Sequence, residues 1–228
     1  LLRRLTRAAS EDIGLADPNA LVNNTPRARM RAGSPRIVFA TALMRAAFSG
    51  DLELVKLLLS HGADPKVISS DGETMVAAAA GLGFIQGYSK GRTEAERLEV
   101  VKLFVELGAD VNQADDYGIT PLMVAGNMGD TAIIQFLVDK GADLGAYDLG
   151  KKNDGAFGAS VEPLMPVDYA IGVGSFLADN AGVIHEGGVE LMVRLMKERG
   201  IEHTTSECTL RGFTCAQANV DPKYATPA

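Results

Sequence analysis

Cys208 and Cys215, in the stretch ECTLRGFTC (207–215), are the only cysteines of the chain and could support redox or metal chemistry. A disulfide between them would close a small loop, contribute about 2.5 kcal/mol by constraining the unfolded chain, and imply an oxidising compartment. Two free thiols in a reducing compartment are the alternative. His203 and Glu207 could add metal ligands, but the spacing matches no zinc pattern. We therefore predict a Cys208–Cys215 disulfide and no metal site.

Two other stretches resemble nucleotide-binding motifs only in part. GAYDLGKK (145–152) follows the phosphate-loop pattern G-x-x-x-x-G-K-[ST] except at Lys152, where a hydroxyl should hold magnesium. The pair of glycines in 81–83 lacks the third glycine of a dinucleotide site. The three histidines form no Ser-His-Asp or Cys-His arrangement by spacing. The sequence predicts a chain that is not an enzyme and holds no cofactor.

Charge and hydropathy narrow the classes of partner. The 228 residues carry a net charge of −7, and residues 1–36 hold seven arginines against three acidic residues, so the rest of the chain carries −11. An acidic body disfavours nucleic acid, which binds basic surfaces. No window of about 18 apolar residues is present, which predicts no membrane span. Residues 1–14 look like the second helix of a repeat whose first helix is missing, and such a half repeat would leave an apolar face open, so we expect further repeats or another domain to precede Leu1.

The secondary-structure elements of the chain follow a repeated sequence pattern. Gly-Ala-Asp recurs at 62–64, 108–110 and 141–143, with a degenerate copy at 15–17. An apolar run with helical spacing precedes each full copy and ends at its glycine, as helices commonly do. These runs are LELVKLLLSHG (52–62), LEVVKLFVELG (98–108) and AIIQFLVDKG (132–141), with a fourth in VELMVRLMKERG (189–200).

A second, smaller motif stands upstream of each run. Its copies are TALMRAAFSG (41–50), TMVAAAAGLG (74–83), TPLMVAGNMG (120–129) and the fainter MPVDYAIGVG (165–174). Thr41 and Thr74 are 33 positions apart. A threonine hydroxyl can cap a helix, and Pro121 suits a first helical position. The motif predicts a short helix with small residues, packed on the longer helix that follows.

This pattern resembles the ankyrin repeat, in which about 33 residues form a β-turn and two helices with a T-P-L-H-x-A signature. The resemblance lies in the Thr-Pro-Leu, paired Ala, Gly and Gly-Ala-Asp elements and extends over nearly all of 37–201, in a bacterial type with long loop insertions. It implies an all-α solenoid of stacked helix-turn-helix units with β-hairpin-like loops. The signature His is replaced by Met44, Ala77, Met123 and Asp168.

The period divides the chain into three parts: a half repeat with a long hairpin insertion in 1–36, four repeats in 37–201, and a capping tail in 202–228. Within the repeats, extra residues fall near 84–97, 148–162 and 175–187. Insertions in a solenoid lie in loops and often form its binding face. The alternative is tolerated surface loops, because doubling the length of a loop costs only about 0.6 kcal/mol.

The resemblance implies a protein-interaction module that binds an unidentified protein partner through a concave surface of hairpin tips and first helices. The contact positions carried over from the family are Phe48 and Ser49 in the first repeat, Ser70, Asp71, Glu73, Gly81 and Leu82 in the second, and Asp116, Tyr117, Ile119, Asn127 and Met128 in the third. We expect Tyr117, Ile119 and Met128 to be the main anchors, because such side chains have no core to fill there. The alternative is that these are tolerated surface residues.

Two other functions remain open. The chain could be a non-catalytic accessory part of a larger exported redox or hydrolytic enzyme or complex, or it could be a self-assembling structural subunit. The predicted disulfide favours export to a bacterial periplasm or the extracellular space, and the cytoplasm is the alternative.

Overall fold

A computed structural model of the chain describes residues 17–20, 41–69, 72–81, 93–150, 163–172 and 184–203. These residues form helices and connecting turns and contain no strand. The helices are α1 (Ala42–Ser49), α2 (Leu52–Ser60), α3 (Met75–Ala80), α4 (Glu94–Glu106), α5 (Pro121–Met128), α6 (Thr131–Asp139), α7 (Pro166–Ile171) and α8 (Glu186–Glu198). They pair as repeats 1 to 4, so the predicted all-α fold with two helices per repeat is confirmed.

The first helix of each repeat begins and ends at the predicted signals. Thr41, Thr74 and Thr120 cap α1, α3 and α5, their hydroxyls accepting hydrogen bonds of 3.1, 3.2 and 3.4 Å from the N–H three residues ahead. In repeat 4 the N-cap is Met165, which has no hydroxyl, and the carboxylate of Asp168 instead accepts from the Met165 N–H at 2.8 Å. Each of these helices ends at a glycine with positive φ.

The helices form two layers. The first helices α1, α3, α5 and α7 pack side by side, the second helices α2, α4, α6 and α8 form a parallel row, and each first helix packs on its own second helix. Except for the half-buried Ala42, the alanines of the first helices are fully or almost fully buried, which lets neighbouring backbones approach closely. Because the core lies between repeats as much as within them, each repeat depends on its neighbours for burial.

The links between the two helices of a repeat differ in length. Residues 50–51 and 129–130 connect them in repeats 1 and 3, whereas 81–93 and 172–185 do so in repeats 2 and 4. Two of the expected insertions, 84–97 and 175–187, therefore overlap a helix, since α4 begins at Glu94 and α8 at Glu186. The start of α4 is fixed by a capping box, in which Thr93 and Glu96 exchange backbone-to-side-chain hydrogen bonds of 2.8 and 3.3 Å.

The longer α4 also caps the next second helix. Asp130 stands at the N-cap of α6, but its side chain makes no cap hydrogen bond. Instead, Oε1 of Glu94 in the first turn of α4 accepts a 2.7 Å hydrogen bond from the N–H of Ala132 in the first turn of α6. The extra helical residues of repeat 2 thus fasten it to repeat 3.

Candidate partner-binding surface

The hairpin tips between repeats begin with an aspartate turn. In each turn an Asp Oδ1 accepts a hydrogen bond of 2.8 or 2.9 Å from the N–H two residues ahead, at Asp17, Asp64, Asp110 and Asp143. The last three belong to the Gly-Ala-Asp copies, and Asp17 belongs to the degenerate copy. The same local geometry therefore precedes each of repeats 1 to 4.

A second clasp closes each tip before the next helix. Asp115 donates its N–H to the carbonyl of Ile119 at 3.1 Å, and its carboxylate accepts from the N–H groups of Ile119 and Tyr117 at 2.9 and 2.8 Å. Ser69 closes its tip on Glu73 in the same way, through hydrogen bonds of 3.1 and 3.0 Å. Hydrogen bonds among backbone and side-chain groups of the tip itself therefore close each of these tips.

The insertion in the third tip lies inside this clasp. Asp148 donates to the carbonyl of Leu164 and accepts from its N–H, both at 3.0 Å, although 16 positions separate the two residues. The corresponding separation of Asp115 and Ile119 is four. Residues 151–162 lie outside the described residues. The hydrogen bonds between Asp148 and Leu164 show that the clasp of the third tip is kept despite the longer separation in sequence.

Tyr169 joins this tip to the fourth repeat. Its hydroxyl donates a 2.6 Å hydrogen bond to Oδ2 of Asp148, and both residues are buried. Burial, and then the negative charge of Asp148, raise the pKa of Tyr169 well above its ordinary value. The phenol is therefore a stable hydrogen-bond donor at neutral pH, and it connects α7 to the base of the third tip.

The tips pack against one another in a row, which we call the tip row (residues 62–69, 108–119 and 141–150). The N–H of Leu149 donates to the carbonyl of Tyr117 at 2.9 Å. Asp116 lies so close to Gly72 that a Cβ on that glycine would come within 2.7 Å of its Oδ1. The tips therefore form one continuous surface.

The tip row exposes large apolar side chains beside carboxylates. Ile68, Tyr147 and Leu149 are 44%, 46% and 67% exposed. The acidic residues exposed on it are Asp64, Asp110, Asp116 and Asp143. The sequence analysis missed Tyr147 and Leu149 because it carried no contact positions from repeat 4, and it missed Ile68 because the positions carried for the second repeat began at Ser70. An alignment on Gly62 and Gly141 would have placed Ile68 and Tyr147 in the same column.

The structure places the predicted tip residues in different environments. Asp116 is exposed, as expected, and Tyr117 is half-buried against the core. Glu73 and Ile119 are only 4% and 5% exposed, so the expectation that they face a partner is wrong. Both residues lie at the base of a tip clasp, from which their side chains turn into the interior. Ser70 and Asp71 lie outside the described residues.

The predicted residues at the ends of the first helices form a second group. Ser49 is exposed and its hydroxyl donates to the carbonyl of Ala46 at 2.9 Å, while Phe48 is half-buried against the core. Asn127 is 3% exposed and Gly81 is also buried, so neither offers the expected surface. Leu82 lies outside the described residues, as do Cys208 and Cys215.

Met128 is half-buried rather than free, and the reason is a contact between repeats. A Cβ on Gly81 would come within 2.8 Å of Met128 Cγ, so the methionine covers the end of α3. The premise that the three anchors have no core to fill is therefore wrong, since Ile119 is buried, Tyr117 packs against the core and Met128 covers the end of α3. The predicted tip residues are also separated from the predicted residues at the ends of the first helices by the length of a first helix, about 12 Å for eight residues.

A contact between two titratable side chains outside the tips joins the end of the chain's described part to α7. Nε2 of His203 lies 2.7 Å from Oδ1 of Asp168, which ties the segment after α8 to α7. Within the described residues, no three His, Cys, Asp or Glu side chains are grouped closely enough to hold a metal ion. Among the same residues, no helix is long and apolar enough to cross a membrane.

Comparison with known proteins agrees with this architecture. Residues 43–148 match the family described as "Ankyrin repeats (3 copies)". These residues belong to the ankyrin-repeat family. The fourth helix pair, α7 and α8, continues the ankyrin stack beyond the matched region.

Individual relatives match over part of their length. The mouse RelA-associated inhibitor is 30% identical over 184 residues, 78% of this chain and 20% of that protein. The nematode Caenorhabditis elegans protein named ankyrin repeat and KH domain-containing protein mask-1 is 30% identical over 132 residues, 46% of this chain and 5% of its own. The human protein phosphatase 1 regulatory subunit 27 is 48% identical over 46 residues, 20% of this chain and 30% of that protein. The chain thus spans less than a third of each of these relatives, and they give no support for a bacterial type.

Proposed function

We propose that this chain is a protein-interaction module that binds its partner through the tip row, the adjoining side of the first helices and the inserted loops. The observation that carries the proposal is the exposure of Ile68, Tyr147 and Leu149 on tips whose backbones are already fixed. A surface that is ordered before binding loses little conformational entropy on association.

The relatives and the charge of the surface support the same proposal. One relative is named as an inhibitor and another as a phosphatase regulatory subunit, roles that involve another protein. Exposed carboxylates beside the apolar side chains favour a partner that presents apolar groups together with basic ones.

The test compares a tip variant with a matched variant elsewhere. Tyr147→Ser with Leu149→Ser should reduce capture of partners from the native source at least tenfold, a loss of about 1.4 kcal/mol. Val193→Ser removes an apolar side chain of 47% exposure from α8, in the other layer, and should leave capture unchanged. Both variants should melt close to the wild type, as exposed substitutions usually do. Equal capture by the two variants would refute the tip row as the binding surface.

Met128 is excluded from this test because its substitution would also disturb packing on Gly81. Two results would favour the other functions instead. A mass in light scattering that rises with protein concentration would indicate self-assembly. Co-purification within one larger enzyme, unaffected by the tip variant, would indicate an accessory part of that enzyme.

A further inference from the structure

Asparagine side chains fasten two of the junctions between successive tips. At one junction, Nδ2 of Asn112 donates to the carbonyl of Gly141 at 2.9 Å while its Oδ1 accepts from the N–H of Asp143 at 2.8 Å. Asn19 makes the same pair of hydrogen bonds to the Gly-Ala-Asp turn of repeat 1, at 3.3 and 2.7 Å. A carboxamide, with one donor and one acceptor, thus matches the backbone of a Gly-Ala-Asp turn.

The junction between repeats 1 and 2 has the turn but lacks the asparagine. Lys66 occupies the position of Asn112, and its N–H donates to Asp64 at 2.8 Å as that of Asn112 does to Asp110. A lysine ammonium has no acceptor and cannot make the paired bonds. Among the described residues, the carbonyl of Gly108 and the N–H of Asp110 have no hydrogen-bond partner.

A groove of about 270 Å³ opens at this junction, and its lining contains apolar residues together with Lys66, Asp110 and Gln113. Its lining includes the fully or almost fully buried side chains of Phe104 and Met75. Ile68 and Leu107, which are 44% and 43% exposed, also line it. The groove therefore combines apolar surface with the two backbone groups that an asparagine bridges elsewhere.

The last junction shows that a missing asparagine does not by itself create a groove. Gly145 stands at the equivalent position before repeat 4 and has no side chain to form the clasp. There, Ile201 fills the space, since a Cβ on Gly145 would lie 3.7 Å from its Cγ2. Of the described junctions without an asparagine, the one between repeats 1 and 2 is left open.

We propose that this groove binds a segment of a protein partner that carries an Asn or Gln side chain between apolar residues, an inference that rests on the proposed function. The amide oxygen of the ligand accepts from the N–H of Asp110, its NH₂ donates to the carbonyl of Gly108, and its apolar neighbours pack on Ile68 and Leu107. A carboxylate in place of the amide cannot donate to Gly108 and brings a negative charge next to the Asp110 side chain. The site should therefore distinguish Asn from Asp.

The direct test uses a synthetic peptide and the complete ¹⁵N-labelled chain. N-acetyl-Leu-Asn-Leu N-methylamide should shift the amide resonance of Asp110 in a saturable titration, and the Asp-containing counterpart should bind at least tenfold more weakly. The absence of a shift at Asp110 at millimolar peptide, or equal binding of the two peptides, would overturn the inference.

Substitution of Lys66 provides the second test. Lys66→Asn places the chain's own carboxamide where the ligand would bind, so peptide affinity should fall at least tenfold and the unfolding midpoint should rise. Lys66→Ala removes the same charge but leaves the junction open, and should retain binding. If Lys66→Asn bound the peptide with the affinity of the wild type, the proposed site would be refuted.

The two proposals fail in different ways. Partner capture that is unaffected by the tip variant, together with intact peptide binding, would refute the proposed function and leave a peptide site in place. Intact capture without any peptide binding would refute the groove alone.

Discussion

Arg97 and Asp130 form a buried ion pair between repeats 2 and 3, with a guanidinium nitrogen donating to a carboxylate oxygen. They are 33 positions apart, one ankyrin period, and each side chain is 9% exposed. Asp51 occupies the same position in repeat 1, where it caps α2 by accepting from the N–H of Leu54 at 3.1 Å. In repeat 3 the aspartate pairs with Arg97 instead, and Glu94 supplies the cap of the following helix.

Arg97→Met should destabilise the fold in a pH-dependent way. Burial raises the pKa of Asp130, although Arg97 opposes the shift. Without Arg97, a carboxylate is left buried and unpaired, at a cost of about 3–5 kcal/mol at neutral pH. A folded pKa above the unfolded value stabilises the fold at low pH, and this contribution is lost as the pH rises through the folded pKa. The difference in unfolding free energy between the wild type and Arg97→Met, measured with urea, should therefore shrink as the pH falls towards 3.8, the ordinary pKa of Asp130.

The double variant R97M/D130N is the control for this prediction. It contains neither buried charge, so we expect it to recover most of the lost stability and to show little pH dependence over the same range. Equal instability of the single and double variants at neutral pH would show that packing, rather than charge, explains the effect of Arg97→Met.

Gly129→Ala should lower the free energy of unfolding more than Gly62→Ala does, although both glycines have positive φ. The φ values are 69° and 87°, a region that costs an L-residue about 1–2 kcal/mol. Gly62 has open space around it, whereas a Cβ on Gly129 would lie 2.5 Å from Nδ1 of His185. We expect Gly129→Ala to lose at least about 1 kcal/mol more, from the forced shift of the ring. Thermal unfolding of the two variants measures the difference.

His185→Ala identifies the source of that difference. In the His185→Ala background the difference between Gly129→Ala and Gly62→Ala should shrink, because the ring contact at 2.5 Å is removed. Part of the difference should remain, because the Cβ of residue 185 still lies 2.8 Å from the added Cβ. An undiminished difference in the His185→Ala background would rule out the contact with the imidazole as its cause.

Tyr169→Phe should destabilise the junction between the third tip and α7. It removes the hydroxyl that donates to Asp148 at 2.6 Å, and hydrogen bonds to charged groups contribute about 1.5–3 kcal/mol. Because the folded pKa of Tyr169 is raised, its contribution is complete below the ordinary value of 10.0 and is lost as the pH rises through the folded value. Urea unfolding should show an alkaline loss of stability that is smaller in Tyr169→Phe.

Tyr147→Phe is the matched control, since its ring is 46% exposed. An exposed substitution should change the free energy of unfolding by less than about 0.5 kcal/mol. If the two variants were equally stable at neutral pH, the buried hydrogen bond to Asp148 would have no net stabilising effect.

The Cys208–Cys215 disulfide stays a prediction, because both residues lie outside the described residues. Peptide mapping by mass spectrometry without reductant should find the two cysteines linked. Cys208→Ser should then lower stability by up to about 2.5 kcal/mol. Two thiols that react with an alkylating reagent in the native protein would contradict the pairing and remove the argument for export.

The start of α4 shows how far sequence interpretation could have gone. The expected insertion reached residue 97 because it was measured as an excess over the repeat period. The helix starts at Glu94, and Thr93 with Glu96 forms a capping box that is legible in the sequence as Thr-x-x-Glu. The capping motif in the sequence therefore marks the start of α4, but the bounds of the insertion were taken from the repeat period instead.

The sequence by itself determined the repeat, its helix boundaries and its turns, because these depend on interactions within a few residues. Thr120 and Pro121 start a helix, and the carboxylate of Asp110 closes a turn, whatever lies in the next repeat. Only the tertiary structure decided which side chains reach the surface. Ile119 points inward, Arg97 pairs across a junction and Lys66 leaves a groove, because burial and pairing depend on neighbours a whole repeat away.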